Sequence, residues 1–324
     1  MAPKDLQEQL TKYLTDVHAI EQQALAQMHT APGLAGDEQI AEAFSLHLSE
    51  TEQHERLIHE LLKARGASPS TIKDIAGLLT GHGFGLFAAF QPDTPGKLVV
   101  HAFSYEHMEE GTYDMLGTIA TRAGDNATLE VARRIEAQEH AMGDRLDALF
   151  DRAVEVTLGD VVAEDLDAQL NTYLTDAHAI EIQALQLLKR AVKLAEGSEL
   201  ASVYQEHLLE TEEHEQLIAA RLRARGGEPS MIKDAALRLG ALNWGGFFGA
   251  QPDTLVKLTV FAYAFEHLEI GAYELLKWVA ERAGDHETVE VAQRIIGQET
   301  DAARIVRALF SAALDATLTE RNLA

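Results

Sequence analysis

The chain is written twice. Residues from about Leu6 to Leu158 align with Leu166 to Leu318 at a constant offset of 160, without a gap. TDVHAIEQQAL (Thr15–Leu25) recurs as TDAHAIEIQAL (Thr175–Leu185), and HLSETEQHE (His47–Glu55) as HLLETEEHE (His207–Glu215). YEHMEEGTY (Tyr105–Tyr113) returns as FEHLEIGAY (Phe265–Tyr273), and AQEH (Ala137–His140) as GQET (Gly297–Thr300). Identity spread over that length means one structural unit made twice, so the fold must be encoded within a single half. With 324 residues in all, each half is long enough to bury its own core. Two domains are expected, 1–158 and 159–324.

Each half reads as four long amphipathic helices, placed in the first half near 3–30, 37–66, 95–123 and 125–157, with almost no strand. Gly33 and Gly36, Arg65-Gly66 and Arg122-Ala123-Gly124-Asp125 mark the breaks, and Arg225-Gly226 and Arg282-Ala283-Gly284-Asp285 repeat them. The Gly-Asp pairs fit a glycine C-cap running directly into an aspartate N-cap. Short connections join helices 1 and 2 and helices 3 and 4, which predicts antiparallel neighbours. The link between helices 2 and 3 is much longer. It holds a short helix (Ser70–Leu79; Ser230–Leu239), a Gly/Phe-rich loop (Gly81–Phe90; Gly240–Phe248) and a Gln-Pro-Asp-Thr stop (Gln91–Thr94; Gln251–Thr254). Four helices with one long central crossover have the topology of ferritin-like folds. Residues 158–165 join the halves.

Composition excludes several classes of function. Fifty-two acidic residues against 27 basic ones give a formal charge of −25, which repels phosphate and argues against nucleic acid or an anionic membrane as partner. Cysteine is absent, so disulfides, zinc–thiolate sites and cysteine-held iron–sulfur clusters are excluded. The opening MAPKDLQEQL has no apolar leader, and no stretch approaches the ~18 apolar residues of a membrane span. A soluble, cytoplasmic protein is expected.

The chemistry lies in polar residues that fall on apolar stripes. In helix 1, Glu21 shares the stripe of Leu14, Leu25 and Met28, with His18 one turn earlier. In helix 2, His47, Glu50 and His54 keep to one side, flanked by Phe44, Ile58 and Leu61. Helix 3 carries Glu106 and Glu109, with Tyr113 one turn on, and helix 4 carries Glu139 beside Ile135, Met142 and Leu146. Each recurs, as His178, Glu181, His207, Glu210, His214, Glu266, Glu269, Tyr273 and Glu299. An ionised carboxylate is costly to bury without a counter-charge. No Lys or Arg occupies these stripes in both halves. Divalent cations would supply the charge, and carboxylates with a few imidazoles suit iron, manganese or zinc in a bundle interior. Any one inward Glu or His reads more simply as a satisfied core residue; the case rests on all four helices agreeing twice. Glu52, Glu55, Glu110, Glu212 and Glu215 are placed on the solvated face. The tyrosines are read as packing. His107 and His267 point away from the stripe, and His82, His101 and His140 occur in one half only, so none is given a role.

The DxHAIExQAL, HLxETxxH and FEHxEIxxY-type blocks, with the helix-4 glutamate, resemble the YciE/YciF family of ferritin-like bacterial stress proteins over essentially all of each half. That resemblance implies a ferritin-like four-helix bundle and, by kinship with rubrerythrins, a di-iron carboxylate centre. Rubrerythrin-like sites take an E-x-x-H pair from helix 2 and another from helix 4. Here Glu50 and His54 are four apart, as are Glu210 and His214, and Met142 and Ala302 stand where helix 4 would offer its histidine. No rubredoxin module is present to deliver electrons. The resemblance also implies that the tandem chain is a pairing dimer fused into one polypeptide, with further homo-oligomers open to it.

Two readings stay open. In the first, each half holds a di-iron or di-manganese centre, with zinc as another candidate, that reacts with O2 or peroxide or oxidises Fe(II). Its ligands are Glu21, Glu50, His54, Glu106, Glu109 and Glu139, and in the second half Glu181, Glu210, His214, Glu266, Glu269 and Glu299. His18 and His178 join as ligands or as groups orienting a glutamate. In the second, metal ions only neutralise the buried carboxylates and hold the bundle together without turnover. Small-molecule binding by the Gly/Phe loops is a weaker third idea, since such loops more simply cap the bundle ends.

Overall fold

A computed structural model describes residues 4–67, 94–159, 161, 165–228 and 254–323. The crossover segments expected to hold the short helices and Gly/Phe loops lie outside these residues, as do His82 and half of the interdomain linker. Among the described residues the chain is helical and contains no strand.

The helices are α1 (Leu6–Met28), α2 (Ala31–Leu34), α3 (Glu38–Ala64), α4 (Thr94–Arg122), α5 (Asn126–Asp147) and α6 (Phe150–Leu158). They continue as α7 (Leu166–Leu194), α8 (Glu199–Ala224), α9 (Thr254–Ala283), α10 (His286–Ala308) and α11 (Phe310–Glu320). The chain divides into two compact units, one of residues 1–149 with 318–324, the other of residues 150–317.

In the first unit α1 packs on α3, α3 on α5, α5 on α4 and α4 back on α1, a closed ring of four helices. In the second, α7, α8, α10 and α9 make the same ring. Between the helices of the first ring lie Leu10, Leu14, Phe44, Ile58, Val99, Leu116, Ile119 and Ile135, all excluded from solvent. Burying each such side chain contributes about 1.5–3 kcal/mol, and this apolar sum is what holds polar groups at the ring's centre.

Local chemistry fixes the helix ends. Asp37 begins α3 by accepting hydrogen bonds from the Gln39 and Ile40 amides. Gly124 adopts φ +68°, the left-handed turn that only glycine takes cheaply, and the next residue caps α5, Asp125 accepting from the Thr128 amide. Gly284 and Asp285 repeat the device between α9 and α10. The expected fourth helix, 125–157, is corrected: it breaks after Asp147 and resumes at Phe150. Neither Gly nor Pro marks the break. It falls where the chain leaves the first compact unit for the second.

Candidate metal centre

Each ring carries a polar core of glutamate and histidine. In the first unit Glu21 comes from α1, His47 and His54 from α3, Glu106 and Glu109 from α4, and Glu139 from α5, each at most 1% exposed. Their ligand-capable atoms fall into two groups, one of His47, Glu106, Glu109 and Glu139, the other of Glu21, His54 and Glu139. Glu139 belongs to both. Its Oε1 lies 2.8 Å from His54 Nδ1, and its Oε2 lies 3.3 Å from His47 Nε2. His47 Nε2 is also 2.8 Å from Glu106 Oε2.

The second unit repeats this. His207, Glu266, Glu269 and Glu299 form one group, and Glu181, His214 and Glu299 the other. Glu299 lies 2.8 Å from His214 Nδ1 and 3.3 Å from His207 Nε2 through different oxygens.

Outer partners fix the imidazoles. His47 Nδ1 meets Glu50 Oε2 at 3.1 Å, and His54 Nε2 meets the Gln138 side-chain carbonyl at 3.2 Å. Glu210 and Gln298 hold His207 and His214 in the same way, at 3.2 and 3.3 Å. A carboxylate or amide oxygen accepting from one ring nitrogen leaves the other aimed at the centre, the arrangement that orients metal-bound histidines. Tyr113 donates to Glu21 Oε1 and Tyr273 to Glu181 Oε1.

Electrostatics show how unusual the cluster is. Burial pushes Glu109 well above the ordinary carboxylate range, and Glu139, Glu21 and Glu106 push it further. Burial likewise raises Glu21 well above its usual value and Glu106 to about 7, the latter against the pull of His47. Burial alone would lower His47, but the charges of Glu106 and Glu139 raise it well above its normal value. Glu139 is held low despite burial, by His47 and His54. In the second unit burial lifts Glu181 to about 8 and Glu266 to about 7. Both Glu109 oxygens, Glu106 Oε1 and Glu21 Oε2 are buried without a hydrogen-bond partner. Orphaned carboxylate oxygens in a dry core cost several kcal/mol unless a cation faces them.

The donor set fits a pair of divalent ions. Glu21, Glu106, Glu109 and Glu139 would supply four negative charges once deprotonated, which two dications would match, and His47 and His54 could add one imidazole to each group. Oxygen-rich donors with one imidazole for each position suit iron or manganese, and zinc also accepts them.

Several expected residues are placed elsewhere. Glu50 is not brought into either group: besides His47 it meets Arg145 at 3.0 Å, and these contacts lower its carboxyl to about 2. Glu210 is half-exposed, and Ile305 stands where Arg145 does. His18 and His178 turn to Glu55 and Glu215, each at 3.0 Å, rather than to the carboxylate cluster. Glu110 is a correction, since it is buried rather than solvated and meets His140 at 3.1 Å. Helix α4 is enclosed on most of its circumference, and its counterpart residue Ile270 carries the matching sequence signal. His47 and His207 enter the groups although Glu50 and Glu210 were favoured on helix 2. They supply the imidazoles that Met142 and Ala302 do not. A small, mostly apolar cavity of about 30 Å3 borders His207, Glu266 and Glu269, lined also by Phe261 and Phe265.

A family model described as "Domain of unknown function (DUF892)" matches the chain twice, over residues 5–158 and 165–319. No solved structure matches the chain. Among the described residues no helix is long and apolar enough to cross a membrane.

Proposed function

We propose that this chain, which belongs to the DUF892 family through both of its repeats, is a ferritin-like di-metal carboxylate protein of the YciE/YciF kind. One observation carries the reading: two ligand groups meet on a single carboxylate, Glu139 in one unit and Glu299 in the other. A shared carboxylate with each oxygen turned to a different histidine is how a protein spaces two ions a few ångströms apart.

In this reading Glu106, Glu109 and His47 would hold one ion and Glu21 and His54 the other, with Glu139 available to both groups. A bound pair of iron or manganese ions would pass electrons to O2 or peroxide as the oxidant, drawing them from an external reductant or from added Fe(II), which is itself oxidised. The polypeptide orients the ligands through Glu50, Gln138 and Tyr113 and keeps bulk water out. Loading must displace protons, because Glu21, Glu106 and Glu109 hold theirs more tightly than ordinary carboxylates.

A second reading, metal binding without turnover, draws on the closure of the first centre, whose ligands are at most 1% exposed. Closed sites are characteristic of structural metals, and reactive ones keep a position open. The second centre has the small apolar cavity at its edge, wide enough for a molecule the size of O2 or peroxide.

The deciding experiment is metal analysis of protein purified without chelators, with a peroxide-consumption and Fe(II)-oxidation assay on the same sample. Two ions per unit with turnover establish the oxidoreductase. Two ions per unit with no turnover establish the binder, and absence of metal after reconstitution removes both.

A further inference from the structure

Outside the carboxylate cores, the first unit gathers a third group of ligand-capable atoms: His18 on α1 with Glu55 and His59 on α3, all mutually within 4.8 Å. His18 is buried and Glu55 and His59 are half-buried, so the group opens toward the surface. His18 Nε2 lies 3.0 Å from Glu55 Oε1, and the His18 and His59 rings sit 5.7 Å apart, tilted by 44°. Glu55 and His59 are one helical turn apart, so both face α1 together.

The second repeat provides an internal control. His178 and Glu215 keep the same pair at the same 3.0 Å, but Ala219 stands in the place of His59. The imidazole–carboxylate pair is therefore stable packing by itself. What the first unit adds is a second imidazole with a ring nitrogen within 4.8 Å of the pair, and nothing in helix stability requires histidine there rather than alanine.

We propose that His18, Glu55 and His59 form a mononuclear site for a borderline divalent transition ion such as Zn(II), distinct from the carboxylate centre and built in the first repeat only. Two imidazoles and one carboxylate make a tetrahedral zinc set with one position left for water or an exogenous ligand. The same donors bind Mg(II) or Ca(II) poorly, since those ions want oxygen ligands throughout. The acidic surface favours cation accumulation near such a site.

The test is zinc content of the full chain after chelation, reloading and gel filtration, for wild type, His59→Ala, Glu55→Gln and the double variant. Each of the three variants is expected to hold about one zinc ion fewer per chain than wild type. The double variant should lose no more than either single one, and excess Mg(II) should not displace the ion. Helical circular dichroism verifies that each variant folds. Folded His59→Ala protein with the wild-type zinc content overturns the proposal, as does a double variant that loses two ions. Glu55 and His59 belong to neither carboxylate group, so the difference of one is read whether or not those groups load.

Discussion

His54 Nδ1 and Glu139 Oε1 lie 2.8 Å apart at the centre of the first ring, and the second ring sets His214 and Glu299 at the same distance. The other oxygen of each glutamate faces a second histidine from the same helix, seven residues earlier. Sharing of this kind makes the α5 glutamate the member whose loss should be felt at both positions.

Glu139→Gln should therefore remove both ions of the first unit, while Glu109→Gln removes one and leaves the Glu21–His54 position filled. The second unit serves as the internal reference, because none of its ligands is altered. Inductively coupled plasma analysis of reloaded protein reads the difference directly. Equal losses for the two variants would show that Glu139 does not bridge.

Helix α3 gives the clearest contrast between orienting and holding. His47→Ala should lose a metal ion, whereas Glu50→Ala should keep the stoichiometry and weaken affinity about 10–100-fold, as loss of an outer hydrogen-bond partner does. The Glu50–Arg145 pair is partly exposed, so breaking it should cost no more than about 1 kcal/mol of stability. Isothermal titration of each variant separates the two outcomes, and a Glu50→Ala protein short of one ion would return Glu50 to the ligand set.

Much of this core was legible in the sequence because an inward carboxylate violates the apolar stripe around it. Glu21, Glu106, Glu109 and Glu139 stood out for that reason, and their recurrence 160 residues later showed the violation to be kept. The choice between Glu50 and His47 was decided by angle. At about 100° per residue His54 points within roughly 20° of His47, while Glu50 lies about 60° off. Glu110 was hidden for a different cause. A helix buried on nearly all sides has no solvated face, and only the partner residue Ile270 hints at it. The break at Ala148–Leu149 carries no local signal, because it depends on which unit the following segment joins.

Tyr113→Phe should destabilise the protein by about 1–2 kcal/mol, because Glu21 Oε1 would lose its donor in a site that water does not reach. Tyr273→Phe should act alike through Glu181. That donor also restrains the upward push of burial on Glu21, so its removal makes proton loss harder and metal binding weaker at neutral pH. Urea midpoints and metal affinity at fixed pH should fall together. A fall in stability alone would assign the tyrosine to packing.

The dependence on pH follows from the direction of the carboxyl shifts. Glu106 and Glu266 are raised to about 7 and Glu181 to about 8, against an ordinary value of 4.5. Between those limits the folded, metal-free chain holds protons that the unfolded chain has released. Their contribution to stability is complete below about pH 4.5 and is lost as pH climbs through 7 and 8. Raised His47 and His207 act in the same direction at higher pH, while the lowered Glu139 and Glu299 matter only on the acid side of 4.5. Metal-free protein should thus lose stability progressively between pH 5 and 8. Metal-loaded protein should not, since the ions replace the protons and bind better as protons leave. Melting curves at pH 5, 6, 7 and 8, with and without bound metal, should diverge steadily as pH rises. Parallel curves would mean that the carboxylates find their counter-charge within the polypeptide, and the case for a resident metal pair would fail.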